Sequence, residues 1–198
     1  GTVDFIDCNW YFQHYVSGAN SAGDYWSGVV YFTDATVTIS GGAHYVNNGN
    51  DSASYPMSTY PILYAFRSSN TNLAIKNITV AISQRRHGFL FLQGSSAKTI
   101  LLENISYTVS NRPQTVFLDL RNNNCNITLR NITGSMYEGS KDYLNVNYFI
   151  SFYYWWSAMA NTGNTFTFDN VQENLGYVLD DTRDTVPYVL VEDRKSVV

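Results

Sequence analysis

Few side chains in this chain are grouped so that they could do acid–base or metal chemistry. Asp180, Asp181 and Asp184 lie close together, with Arg183 among them. Carboxylate oxygens of this kind are what Ca2+ takes as ligands, and a solvated turn has the same composition. Arg85-Arg86-His87-Gly88 makes a compact basic corner that could hold the carboxylate of an acidic sugar or simply be an exposed turn. His87 has no carboxylate partner nearby in sequence to make it a general base. Cys8, Cys125 and the three histidines show no metal-ligand spacing. Nothing reads as a nucleophile constellation or a phosphate loop, so no catalytic residue is assigned.

Aromatic rings are the more abundant resource. The chain holds 16 Tyr, 11 Phe and 4 Trp against only 12 Lys and Arg, with a net charge of −4. Flat apolar faces with polar edges, set among Asn, Ser and Thr, suit sugar rings. The candidate ligand-binding rings are Tyr25, Trp26, Tyr45, Tyr55, Tyr60, Tyr153 and Trp155. In Tyr153-Tyr154-Trp155-Trp156 only alternate residues of a strand can face out, which selects Tyr153 and Trp155. The same rings could equally serve to cap a small core. Arg67, Arg85 and Arg121 are the candidate contacts for an acidic polymer, and an ordinary solvated face explains them as well.

These residues sit between copies of a repeated phrase. Leu73-Ala-Ile75-Lys-Asn77-Ile78, Ile100-Leu-Leu102-Glu-Asn104-Ile105, Ile127-Thr-Leu129-Arg-Asn131-Ile132 and Phe166-Thr-Phe168-Asp-Asn170-Val171 are the clearest copies. Val3-Asp-Phe5-Ile-Asp7-Cys8 and Val37-Thr-Ile39-Ser-Gly41-Gly42 are looser ones, so the starts lie 34, 36, 27, 27 and 39 residues apart. A further apolar run precedes most copies, and an extended stretch such as Thr79-Val-Ala-Ile-Ser83 or Ser106-Tyr-Thr-Val-Ser110 follows. Two or three short strands per repeat, without a 3.6-residue apolar stripe, predict an all-β fold. It is a right-handed parallel β-helix (β-solenoid) of about six coils. Lateral loops are expected at 13–28, 45–60, 137–147, 157–164 and 176–186.

Stacking the copies makes a register. Leu73/Ile75, Ile100/Leu102, Ile127/Leu129 and Phe166/Phe168 become inward columns, with coils about 4.8 Å apart. Asn77, Asn104, Asn131 and Asn170 form a turn column, where Asn tolerates left-handed geometry. The residue before each Asn alternates in sign: Lys76, Glu103, Arg130, Asp169. A polar column in the preceding strand is read as Thr33, Arg67, Gln93 and Arg121. Cys8 and Cys125 fall roughly 19 Å apart along the stack at that spacing, beyond the ~7 Å a disulfide spans, so both are expected to be half-buried free thiols. Five N-x-S/T sequons occur, at Asn50, Asn77, Asn104, Asn126 and Asn131. Three coincide with the turn column and read as turn residues before glycan acceptors.

The 198 residues suit one domain, 1–198. No basic patch points to nucleic acid, and no apolar run reaches the ~20 residues of a membrane-spanning helix. The chain opens directly on a strand, and Pro187-Tyr-Val-Leu-Val191 resembles the first strand of another coil, so the sequence reads as a piece excised from a longer repetitive protein.

The repeated strand-Asn-Ile/Val turns resemble right-handed β-helices of the pectate-lyase-like superfamily. With the Tyr- and Asn-rich character and the phrase Gly1-Thr-Val-Asp-Phe-Ile-Asp-Cys-Asn-Trp10, they are most similar to the pectate-lyase-like adhesive domains of Gram-positive surface proteins, lactobacilli among them. That resemblance implies an extracellular, wall-anchored, monomeric adhesin module. It would be non-catalytic and bind host or environmental glycans or glycoproteins. No cofactor is expected apart from the Ca2+ that Asp180, Asp181 and Asp184 could bind. The alternatives are a polysaccharide lyase or hydrolase fragment acting on acidic polysaccharide, and a structural stalk or phage tail spacer. The acidic Ca2+ ligand set of the lyases and the Asn-Thr-Asp, Asp-Asp and Gly-His-Gly motifs of the hydrolases are not found in the sequence.

Overall fold

A computed structural model describes residues 1–12, 28–46, 63–82, 87–94, 96–109, 116–122, 124–136, 148–151, 163–172, 177–179 and 188–190. The described residues are all-β, with no helix. One sheet runs in the order β1 (Thr2–Ile6), β4 (Thr36–Ser40), β7 (Asn72–Ile82), β9 (Thr99–Val109), β11 (Asn126–Met136) and β13 (Thr165–Val171). β5 (Ala43–Val46) pairs with the second half of β7, and β2 (Trp10–Phe12) pairs with β5. The other sheet runs from β3 (Gly28–Thr33) through β6 (Leu63–Ser69), β8 (His87–Gly94), β10 (Val116–Asn122), β12 (Tyr148–Ser151) and β14 (Tyr177–Leu179) to β15 (Tyr188–Leu190). The chain alternates between the two sheets, and among the described strands every pairing but that of β14 with β15 is parallel, as in a β-helix or solenoid.

All six copies of the phrase pair in the expected register. Val3, Val37, Leu73, Ile100, Ile127 and Phe166 occupy one column, and Phe5, Ile39, Ile75, Leu102, Leu129 and Phe168 the next. Period-two alternation turns both columns inward: Ile39, Ile75, Leu102 and Leu129 are fully buried. Each such side chain removed from water contributes about 1.5–3 kcal/mol. Val3 and Phe168 are the exceptions. They hold the inward register but are 42% and 44% exposed, because β1 and β13 are the two outermost strands of this sheet and no described strand covers their far sides.

The turn column is a continuous corner. Asp7, Asn77, Asn104, Asn131 and Asn170 all have φ between 51° and 54°, and Gly41 has φ 76° in the same column. This left-handed geometry bends β7, β9 and β11 mid-strand, so each presents two outer faces. The Asn side chains bond in series at 2.8 Å: Asn104 Nδ2 to Asn77 Oδ1, Asn131 Nδ2 to Asn104 Oδ1, and Asn170 Nδ2 to Asn131 Oδ1. The sequons at Asn77, Asn104 and Asn131 are therefore turn residues, as expected; Asn50 lies outside the described residues.

The second sheet packs aromatic rings onto this core. Phe89, Phe117 and Phe149 stack in sequence, with centroids 5.4 and 5.2 Å apart. His44 is fully buried among Trp10, Phe66 and Phe89. Burial lowers its pKa from 6.5 to about 4, since the charged ring would lose its hydration.

Four expectations need correction. The polar column does not align Thr33 with Arg67: Thr33 pairs with Ser69, while Arg67 pairs with Tyr31 and Phe91. Ser68 is the reason. It fills the inward position held by Phe32 and Leu92, so the apolar run that marks the strand ends two residues early, at Phe66. Next, 177–179 falls inside an expected loop but forms β14. In addition, β15 runs antiparallel to β14, so Tyr188–Leu190 does not begin another parallel coil. Finally, both cysteines are free, but Cys125 is fully buried where a half-buried thiol was expected.

Candidate functional site

The Asn corner separates two outer faces of opposite character. On the side that precedes it, Lys76, Glu103, Arg130 and Asp169 form the expected charge ladder. Lys76 Nζ lies 3.8 Å from Glu103 Oε2, Arg130 Nη1 is 3.0 Å from Glu103 Oε1, and Arg130 Nε is 2.8 Å from Asp169 Oδ2. Arg130 donates to Glu103 and to Asp169, and these bonds, Glu103 first, push its pKa further up. Each charge is answered by a neighbour, so this face has little left for a ligand.

On the other side of the corner the outer positions carry no charge. One row across the strands reads Asn9, Ala43, Thr79, Ser106 and Thr133. The row two residues on reads Tyr11, Tyr45, Ala81, Thr108 and Ser135. Period two puts both rows on one face, and Thr79, Ser106, Thr108, Thr133 and Ser135 are exposed there. The inward residues between the rows are Trp10, His44, Val80 and Tyr107, all tied into the core. The face is therefore held rigidly from behind.

Tyr11 and Tyr45 are the prominent members of this face. Their rings stack with centroids 5.2 Å apart and planes 15° from parallel, yet they stay 75% and 40% exposed. Large rings held apart from the core in this way form a surface that can stack with a ligand. Tyr45 was expected as a candidate; Tyr11 and the hydroxyl rows were not. The signal for them was present in Thr79-Val-Ala and Ser106-Tyr-Thr, whose small polar residues alternate with inward apolar ones.

Arg67 is placed differently from a free anion contact. Its Nη2 donates to Gln93 Oε1 at 2.9 Å, and its guanidinium lies 4.9 Å from the Tyr31 ring centroid and 5.7 Å from that of Phe91. Such stacking occupies the faces of the planar cation. Arg121 lies in register with Gln93 on β10. Tyr25, Trp26, Tyr55, Tyr60, Arg85, Tyr153, Trp155, Asp180, Asp181 and Asp184 lie outside the described residues. Among the described residues, no three His, Cys, Asp or Glu side chains converge as a metal site.

Comparison with known proteins finds no matching family model, no matching curated protein and no matching solved structure.

Proposed function

We propose that the two parallel sheets close into a right-handed β-helix of about six coils, which serves as a non-catalytic adhesin module at a bacterial cell surface and binds glycans or glycoproteins. The alternation of the chain between sheets supports the helix, since each return to the first sheet adds one strand beside the last. The exposed Tyr11–Tyr45 stack carries the binding reading. A structural spacer has no need of two solvent-facing rings beside rows of hydroxyls. The resemblance to adhesive domains of Gram-positive surface proteins supplies the extracellular, wall-anchored setting.

A glycan array together with a turnover assay on polygalacturonate tests this reading. Binding to one or more glycans with no unsaturated or reducing-end product is the expected outcome. Product release would make the chain a lyase or hydrolase fragment. Absence of both binding and turnover would leave the spacer.

A further inference from the structure

The Tyr11–Tyr45 stack stops at its third place. In the outer row the position after Tyr45 is Ala81, followed by Thr108. One face of the Tyr45 ring is covered by Tyr11. Along the same row Ala81 contributes only a methyl, and among the described residues no ring continues the stack. Thr108, opposite Ala81 on the next strand, closes the far side with an exposed hydroxyl, and the exposed Thr79 and Ser106 lie one row over. The result is a shallow notch with a ring as one wall, a methyl as floor and hydroxyls on its other sides.

We infer that this notch is a subsite for one neutral sugar ring, stacked on Tyr45 over Ala81, in a glycan that runs along the hydroxyl rows across β7, β9 and β11. The inference rests on the glycan-binding reading and narrows it to a site and a ligand class. Three observations select the occupant. Neither row contains a charged residue, so a uronate or sulfated sugar would lose hydration with no cation to replace it. The same lack disfavours a nucleotide strand, whose phosphates need Lys or Arg. A peptide strand would need an open sheet edge to pair with, but the notch lies on a sheet face, with β7 and β9 paired on both sides. A neutral sugar has what fits: an apolar C–H face for the ring and hydroxyls for Thr79, Ser106 and Thr108. The strand repeat of about 4.8 Å is close to the length of one pyranose, so successive strands offer similar rows to successive sugars.

The test uses the full chain, with neutral oligosaccharides (cello-, chito- and mannohexaose) and hexagalacturonate as probes. Binding is followed by calorimetry and folding by circular dichroism. The expected result is binding of at least one neutral probe and none of hexagalacturonate. Tyr45→Ala should weaken binding by about tenfold or more, a loss of the size stacking supplies. Ala81→Tyr should abolish it by extending the stack into the notch, while Tyr45→Phe should retain it. Trp26→Ala and Trp155→Ala separate the two levels of the argument. If neutral glycan binding survives Tyr45→Ala and Ala81→Tyr but is lost with Trp26→Ala or Trp155→Ala, the glycan reading stands and the notch is overturned. If hexagalacturonate is the preferred ligand, the neutral assignment is overturned. If no glycan binds the folded wild type, the reading itself fails, and the notch with it.

Discussion

Asn104 donates to Asn77 across adjacent strands at 2.8 Å while both backbones hold φ 54°. One residue type thus satisfies the strained backbone and the cross-strand bond together, much as amide ladders do in stacked parallel strands. The two roles can be separated. Asn104→Gly keeps the conformation and loses the ladder bonds; Asn104→Ala loses the bonds and adds left-handed strain. Denaturant unfolding should show both variants destabilised, with Ala below Gly by about 1–2 kcal/mol. Equal losses would mean that the backbone geometry there costs nothing.

His44 sets a pH window for stability. Its folded pKa of about 4 lies below the ordinary 6.5, so as pH falls the unfolded chain takes up a proton first. Stability from this group is complete above pH 6.5, falls between about 6.5 and 4, and is level below that. The total is about 3 kcal/mol by linkage. Unfolding free energies for wild type and His44→Phe, measured from pH 7 to 4, should diverge in that sense, with Phe removing the slope. Parallel curves would show that His44 does not titrate in this way.

Gly134 lies opposite Tyr107 on the neighbouring strand. A Cβ at Gly134 would clash with the Tyr107 carbonyl oxygen, which is backbone and cannot swing aside. Gly134→Ala should therefore destabilise by roughly 2 kcal/mol or more, read as a lower midpoint in thermal unfolding. A neutral outcome would mean that β9 and β11 can separate without loss.

The two thiols should differ in reactivity. Cys8 is half-exposed, while Cys125 is buried with its pKa pushed up by desolvation. Since the thiolate is the nucleophile, alkylation of the native protein at neutral pH should label Cys8 alone. Cys125 should react only after unfolding, as peptide mass spectrometry would show. Rapid native labelling of Cys125 would contradict its burial.

The columns were legible because each clear phrase pairs two inward apolar residues with an Asn two positions on. Leu73, Ile75 and Asn77 show the pattern, and the charge alternation from Lys76 to Asp169 confirmed its phase. The second sheet was less legible. Buried Ser68 interrupts its inward column, and a polar residue there looks like a strand end, so Arg67 was displaced from Tyr31. The candidate site was only partly visible. Tyr45 stood out by residue type, but Tyr11 gains its meaning from pairing with Tyr45 across 34 residues of chain. Ala81 carries no signal of its own; its role comes from standing where a third ring would be.

The serial Asn bonds all point the same way, each amide N–H2 toward the preceding strand. Four aligned side-chain dipoles therefore add along the stack, with the positive end at Asn77 and the negative end at Asn170. Reversing every amide would preserve the three bonds but turn a carbonyl toward Asp7, whose carboxylate lies over Gly41 in the same column. A single acidic residue at the first corner can thus fix the polarity of the whole row, which gives the stack an electrical direction as well as a geometric one.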